Sequence, residues 1–191
     1  ALSIGVKGAP LARRTQPVVN LAWQTRFFWD GRADTAEEQA VMPIANADEM
    51  GMPHALMVQR LSADSDYRRM FAKAFPGEAI GPETVGKALA VFERSLVTTD
   101  TAFVSWMAGD EGAISDQAKR GFVEFNTRTG CSQFYAGWNF SDGSFNKIGI
   151  GDGDLGRSLI ASGEEQHGFK TPSLRCRQPR ALYTQRWSGD A

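Results

Sequence analysis

Cysteine and histidine are scarce in this sequence, which holds only two of each among 191 residues: Cys131, Cys176, His54 and His167. Two cysteines cannot build the dense disulfide framework of a small secreted domain, although one bridge between them stays open. None of the four falls at the paired spacings of a zinc site, so a structural zinc module is excluded. No run of about 18 apolar residues occurs, which excludes a spanning helix. An excess of one charge is also missing: 21 Lys and Arg stand against 22 Asp and Glu, with no long basic block. Nucleic acid and anionic membrane surfaces are therefore not partners that this composition selects. The cluster Arg175, Arg177, Arg180 comes nearest to a basic patch, and it reads as a solvated face or as the anchor of a buried acid. The opening ALSIGVKGAP has neither an initiator Met nor a signal-peptide pattern and reads as the middle of a polypeptide.

What is present describes a globular chain rich in loops. Apolar residues make up 42% and Gly numbers 20, enough to bury a core and to turn the chain often. Residues 1–32 read as an extended segment wrapped on the core, because PVVNLAWQTRFFWDGR packs aromatics too densely for a surface loop. Thr35 and Glu38 have capping-box spacing, so a helix is expected from about Ala36, ended by Pro43. A second is expected over Pro53 to Leu61. Tyr67, Met70, Phe71 and Ala74 follow i, i+3, i+4, i+7, the pattern of a buried helical face, stopped by Pro76-Gly77. From Pro82 the positions Val85, Ala88, Leu89, Phe92 and Leu96 continue a helix for four turns, and Ser115 caps another over Asp116 to Phe125. Beyond Phe140 periodicity fades into Gly- and Asp-rich loops. The expected class is mainly α with long ordered loops, and such loops often wrap a ligand.

One stretch carries a chemical signal. In TGCSQFYAGWNF, Cys131 stands where a Cys-x-x-Cys-His haem attachment motif begins. That motif supplies two thiols for thioether bonds and a histidine for the iron. Phe134 occupies the second thiol position and Tyr135 that of the ligand. A single thioether remains feasible, and a tyrosine phenolate ligates iron in catalases; an ordinary loop cysteine is the competing reading. GDGDLGR offers Asp152 and Asp154, but Gly156 and Gly163 stand where an EF-hand loop needs oxygen ligands, so it reads as a Gly-rich turn.

Five blocks together resemble the bacterial dihaem cytochrome c peroxidases and their relatives that mature protein-derived quinone cofactors. They are FFWDGRADTAEEQAVMPIANADEMG, ALAVFERSLVT, AISDQAKRGFVEFNTRTGC, GWNFSD and FKTPSLR, in order across nearly the whole chain. The resemblance implies a cytochrome c-like helical domain over residues 33–191, incomplete at its C-terminus, with residues 1–32 continuing from an N-terminal haem domain upstream. It implies haem c, a periplasmic location, hydrogen peroxide as substrate, a small donor protein (a cytochrome c or cupredoxin), and a homodimer as one assembly. In the same terms Trp29 takes the place of the tryptophan between the two haems, against a plain buried aromatic. Gln39 and Glu49 take those of polar residues in the peroxide pocket, where a carboxylate shuttles a proton; without the family Glu49 is a solvated acid. Pro43 matches a proline over that pocket.

Cofactor-binding positions under the resemblance are Cys131 and Tyr135, both within a motif changed at two of its three defining residues. A family calcium site implies an Asn where this chain has Thr15, with Asn20 close by, and backbone ligands where it has Arg180 to Tyr183. Gln185 stands for a family histidine. Cys176 replaces an Asn, and a Cys131–Cys176 disulfide is conceivable as a substitute tether. Phe134 and Tyr135 are bulky enough to fill a vacated haem pocket. A peroxidase is thus set against a haem-depleted binding module and a quinone-maturing enzyme.

Overall fold

The computed structural model describes residues 2–147, 153–163 and 167–175. Among these, helices α1 (Ala36–Ala45), α2 (His54–Ala63), α3 (Ser65–Ala74), α4 (Pro82–Ser95), α5 (Ala102–Met107) and α6 (Asp116–Asn126) are joined by long loops. Two short strands, β1 (Phe145–Asn146) and β2 (Phe169–Lys170), pair antiparallel with Phe145 opposite Lys170. The mainly α class is as expected.

Helix α1 begins at a reciprocal cap. Thr35 Oγ1 accepts the Glu38 N–H at 3.1 Å, and Glu38 Oε2 accepts the Asp34 N–H at 2.9 Å. Pro43 does not end it, contrary to expectation; α1 runs on to Ala45. A proline removes one ladder N–H, a small loss so close to a helix end. The chain then folds back, so that Met50 N–H donates to the Pro43 carbonyl at 3.2 Å, Met52 N–H to Ile44 at 2.8 Å and Gly51 N–H to Asn46 at 2.8 Å. The final carbonyls of α1 thereby gain partners.

Helix α4 packs along α1. Its buried residues are Thr84, Val85, Gly86 and Ala90, whereas Phe92 is 61% exposed, so the stripe chosen by packing is narrower and smaller than the one expected. Close approach is the reason: a Cβ on Gly86 would lie 2.6 Å from the Glu37 carbonyl oxygen. Arg94 clamps the same crossing with paired bonds to Glu37 at 2.7 and 2.9 Å. The Glu37 carboxyl is held below its ordinary range by that hydrogen bonding.

The spacing in α3 does give a helix, capped by Asp64, but its face is not buried. Tyr67 and Met70 are 44% and 51% exposed. Helix α5 was not foreseen, being only six residues after a Thr101 cap. Helix α6 starts at Ser115 as expected. The buried core joins Leu21, Phe27, Ala33, Ala36 and Ala90, with Phe28 packed against it. Burying a ring such as Phe27 contributes roughly 2–3 kcal/mol.

Candidate functional site

The segment FFWDGRA forms a tight loop closed by an isolated bridge between Phe27 and Ala33. Phe28 at its shoulder has φ +64°, rare for a bulky residue and strained by about 1–3 kcal/mol. Neighbours over-determine it: Gly31 N–H donates to the Phe28 carbonyl at 3.3 Å, and the Arg32 guanidinium lies 3.6 Å from the ring centroid. Gly31 must lack a side chain, since a Cβ there would enter the Phe145 ring and approach Arg157 Nη1 at 2.8 Å.

Trp29, in this loop, is held at both ends by other segments. Its Nε1–H donates to the Arg14 carbonyl at 2.7 Å, and its own carbonyl accepts the Lys170 N–H at 2.7 Å. The indole faces a cavity of about 310 Å³ whose walls come from residues 3–50. Gln39 and Pro43, one turn apart on α1, line the same space. Glu49 joins them from the turn after α1, which is set by an Asn46 Oδ1 bond to the Asp48 N–H at 2.9 Å and fixed by Val6 N–H on the Glu49 carbonyl at 2.7 Å. The structure therefore brings Trp29, Gln39, Pro43 and Glu49 to one cavity.

Cations surround this space, and the described partners of two of them are acids. Arg13 binds Asp154 and Asp30, and Arg32 binds Asp30 at 3.0 Å. Burial works to lower the Arg13 pKa, but the hydrogen bonds it donates to Asp154 and Asp30 outweigh it. Sequence reasoning missed this network, along with Lys170, because its members lie up to 141 residues apart.

The other expected site lies elsewhere. Gly130, at φ +68°, turns the chain into a short 3-10 turn over Cys131–Gln133. Phe134 and Tyr135 N–H both donate to the Cys131 carbonyl, at 3.1 and 3.0 Å. The Cys131 carbonyl thus accepts from two successive N–H groups as the turn closes. Beside them runs an apolar groove of about 510 Å³ lined by Phe103, Ile114, Phe122, Phe125, Phe140 and Leu174, among others. Phe125 packs against the Tyr135 ring at 6.5 Å between centroids. The pocket-filling expectation is corrected: Phe134 is 41% exposed, neither Phe134 nor Tyr135 is among the residues lining the groove, and it remains open.

For haem at this groove the donor set is decisive. The lining of the groove contains no thiol, phenol or imidazole, and the adjoining turn, with Cys131 but no second cysteine and no histidine, does not fit attachment by two thioethers with an imidazole ligand. Asn20, the calcium candidate, is 1% exposed, and its amide is engaged by Thr98: Nδ2 donates to Oγ1 at 3.0 Å and Oδ1 accepts the N–H at 3.1 Å. Among the described residues no three His, Cys, Asp or Glu side chains group to hold a metal ion, and no helix is long and apolar enough to cross a membrane. Asp152, Cys176 and its disulfide, Arg177, Arg180 to Tyr183 and Gln185 lie outside the described residues.

Comparison with known proteins gives the family and the fold. The family model for di-haem cytochrome c peroxidase matches residues 1–112. The methylamine utilization protein MauG of Methylorubrum extorquens is 48% identical over 178 residues, covering 91% of this chain and 50% of that protein. The cytochrome c551 peroxidase of Nitrosomonas europaea is 31% identical over 180 residues, covering 91% and 54%. Among solved structures, a MauG-like protein associated with microbial copper homeostasis superposes with a TM-score of 0.79 at 26% identity, over 91% of this chain and 58% of the other. A diheme peroxidase from Burkholderia thailandensis shares the fold, with a TM-score of 0.78 at 17% identity over 91% and 54%. The chain spans about half the length of the curated relatives it matches. With 112 of its 191 residues matched by the family model, the chain belongs to the di-haem cytochrome c peroxidase family.

Proposed function

We propose that this chain is part of a periplasmic, peroxidase-type oxidoreductase that reduces hydrogen peroxide with electrons from a small donor protein, a cytochrome c or cupredoxin. The observation that carries this reading is the shared cavity of Trp29, Gln39, Pro43 and Glu49. Residues 1–32 continue from an N-terminal haem domain, and residues 33–191 form the cytochrome c-like domain against it. When bound, haem c supplies the redox equivalents and the metal centre for O–O cleavage. Peroxide reduction takes two electrons from the donor and two protons and yields two waters, and Glu49 would carry a proton from one peroxide oxygen to the other so that the O–O bond breaks with water as the leaving group. Gln39 fixes the peroxide by hydrogen bonding from α1. Pro43 and Met50 close the wall and restrict water. Trp29, anchored through Arg14 and Lys170, keeps a rigid aromatic path between donor side and cavity. Calcium ligation near Asn20 and a homodimer belong to the same reading.

A second reading, maturation of a quinone cofactor on a partner protein, is favoured by the higher identity to the MauG sequences, 48% and 46%, than to the peroxidases at 31%. A haem-depleted binding module is the third. Peroxide turnover by the full-length protein separates them. Glu49→Gln should lower the rate of peroxide reduction about 100-fold or more with the visible spectrum unchanged; equal rates remove Glu49 as the proton carrier, and no turnover by the parent protein removes the peroxidase reading.

A further inference from the structure

Lys170 grips the Trp29 loop with both its side chain and its backbone. Nζ donates to Gln24 Oε1 at 2.6 Å and to the Arg26 carbonyl at 2.7 Å, and the backbone N–H donates to the Trp29 carbonyl at 2.7 Å. The ammonium also lies 5.8 Å from the Phe27 ring centroid. One residue thus meets positions 24, 26, 27 and 29, on either side of Phe28 with its strained φ of +64°. The anchor itself is fixed: Lys170 is paired with Phe145 across β1 and β2, and Thr171 N–H donates to the Ser144 carbonyl at 2.9 Å. Gln24 lines the Trp29 cavity and also a polar cavity of about 180 Å³ that Lys170 itself lines, so their bond joins the two walls.

Both acceptors of this ammonium are neutral, and it has no ion pair among the described residues. The polar cavity adds two cations, Arg26, which pairs with Asp34, and Arg175, which stacks on Trp138. The acid of that lining, Asp142, is turned to Ser144, accepting from its N–H at 3.0 Å and its Oγ at 2.5 Å. On the loop itself Asp30 is taken by Arg13 and Arg32, and its carbonyl by Arg157 at 2.7 Å. A buried charge without an acid is relieved by moving into water, whereas a neutral amine lacks that drive. Burial accordingly holds the Lys170 pKa down to about 8.

We propose that Lys170 is a positioning residue for Trp29: its side chain holds the strained loop against the cavity, and the loop sets when the amine is neutral and loosens when it is charged. This inference rests on the reading of Trp29 as an electron path. An opened loop returns Lys170 to water and to its ordinary 10.5, so opening takes up a proton. Between about 8 and 10.5, each rise of one pH unit disfavours opening up to about tenfold.

The test uses the full-length protein carrying fluorotryptophan, with the Trp29 resonance in the fluorine NMR spectrum assigned by its loss in Trp29→Phe. In the parent this resonance should shift between pH 7 and 10 with a midpoint near 8, about the value set by burial. In Lys170→Met the shift should be lost. A resonance that does not titrate, or one that still titrates in Lys170→Met, overturns the proposal. Labelling of the parent with a trace amine reagent, read at Lys170 by mass spectrometry, gives the lysine's own midpoint and needs no variant. Agreement with the Trp29 midpoint supports the coupling, and a difference of about one pH unit or more overturns it. Where peroxide turnover is present, kcat should rise through the same midpoint with KM unchanged, and a flat kcat overturns control of turnover by Lys170. Absence of turnover at every pH removes the peroxidase reading alone, and the Trp29 resonance still decides the positioning role.

Discussion

Arg13 grips Asp154 through two hydrogen bonds, 2.8 Å from Nε and 2.6 Å from Nη2, across 141 residues of sequence. Nη1 of the same guanidinium reaches Asp30 at 2.7 Å, next to Trp29. The cavity loop is thus tied to the Gly-rich turn near the C-terminal end. Asp154→Asn keeps the shape and removes the charge. It should cost about 1–2 kcal/mol, less than a fully buried pair because both side chains retain some exposure. A urea midpoint equal to that of the parent would show the tie to be dispensable. Hydrogen bonding from Arg13 holds the Asp154 carboxyl below its ordinary 3.8, so this stabilisation is complete above that pH and is lost as the pH falls through the depressed value.

Lys170 titrates in the opposite sense to a paired lysine. Its Nζ donates to Gln24 Oε1 at 2.6 Å and to the Arg26 carbonyl at 2.7 Å, yet the residue is 5% exposed and burial pushes its pKa down to about 8 from 10.5. Between these values the unfolded chain binds the proton and the folded chain does not, so stability rises with pH across that window. The rise attributable to Lys170 is roughly 3 kcal/mol at most. Lys170→Met should remove it, and the test is the difference between parent and variant in denaturation midpoints at pH 7.5 to 10.5, about the window set by the shift. Parallel curves would count against it.

Glu93 on α4 has a buried Oε2 without a partner among the described residues, and burial raises its pKa. The folded chain therefore holds this proton more firmly than the unfolded one, and stability falls as pH rises from the ordinary 4.5 through the raised value. Glu93→Gln should stabilise by about 1 kcal/mol at pH 7, a figure discounted for a half-buried group, and the gain should vanish at low pH. Thermal melts at the two pH values decide it.

Two glycine substitutions should move stability in opposite directions. Gly86→Ala gains about 1 kcal/mol of helix propensity but drives a Cβ to 2.6 Å from the Glu37 carbonyl, for a net loss of about 2 kcal/mol. Gly121→Ala on α6 meets nothing within 4 Å and should gain up to about 1 kcal/mol. Matching shifts in both would show that the α1–α4 crossing yields easily.

Local signals in the sequence were the most legible. Thr35, Asp64, Thr101 and Ser115 cap helices with side-chain oxygens, and the starts of α1 and α6 could be read from Thr35 and Ser115. Which apolar residues those helices bury was less legible, because period alone does not say what lies opposite: Phe92 and Met70 keep the spacing and face solvent, while Gly86 makes the close contact. Pro43 sits inside α1 since the fold-back at Met50 and Met52 is a tertiary event that a propensity rule does not contain. The cavity residues Trp29, Gln39 and Glu49 came from block resemblance. The roles of Arg13, Asp154 and Lys170 did not, for although Asp154 lies in GDGDLGR and Lys170 in FKTPSLR, their partners are remote in the chain.

The walls of the two cavities have no residue in common: one is drawn from residues 3–50, the other from residues 101–175. Damage can therefore accumulate in one without deforming its neighbour. Phe134 and Tyr135 line neither, so substitutions in the turn after α6 leave the walls at Trp29, Gln39 and Glu49 untouched.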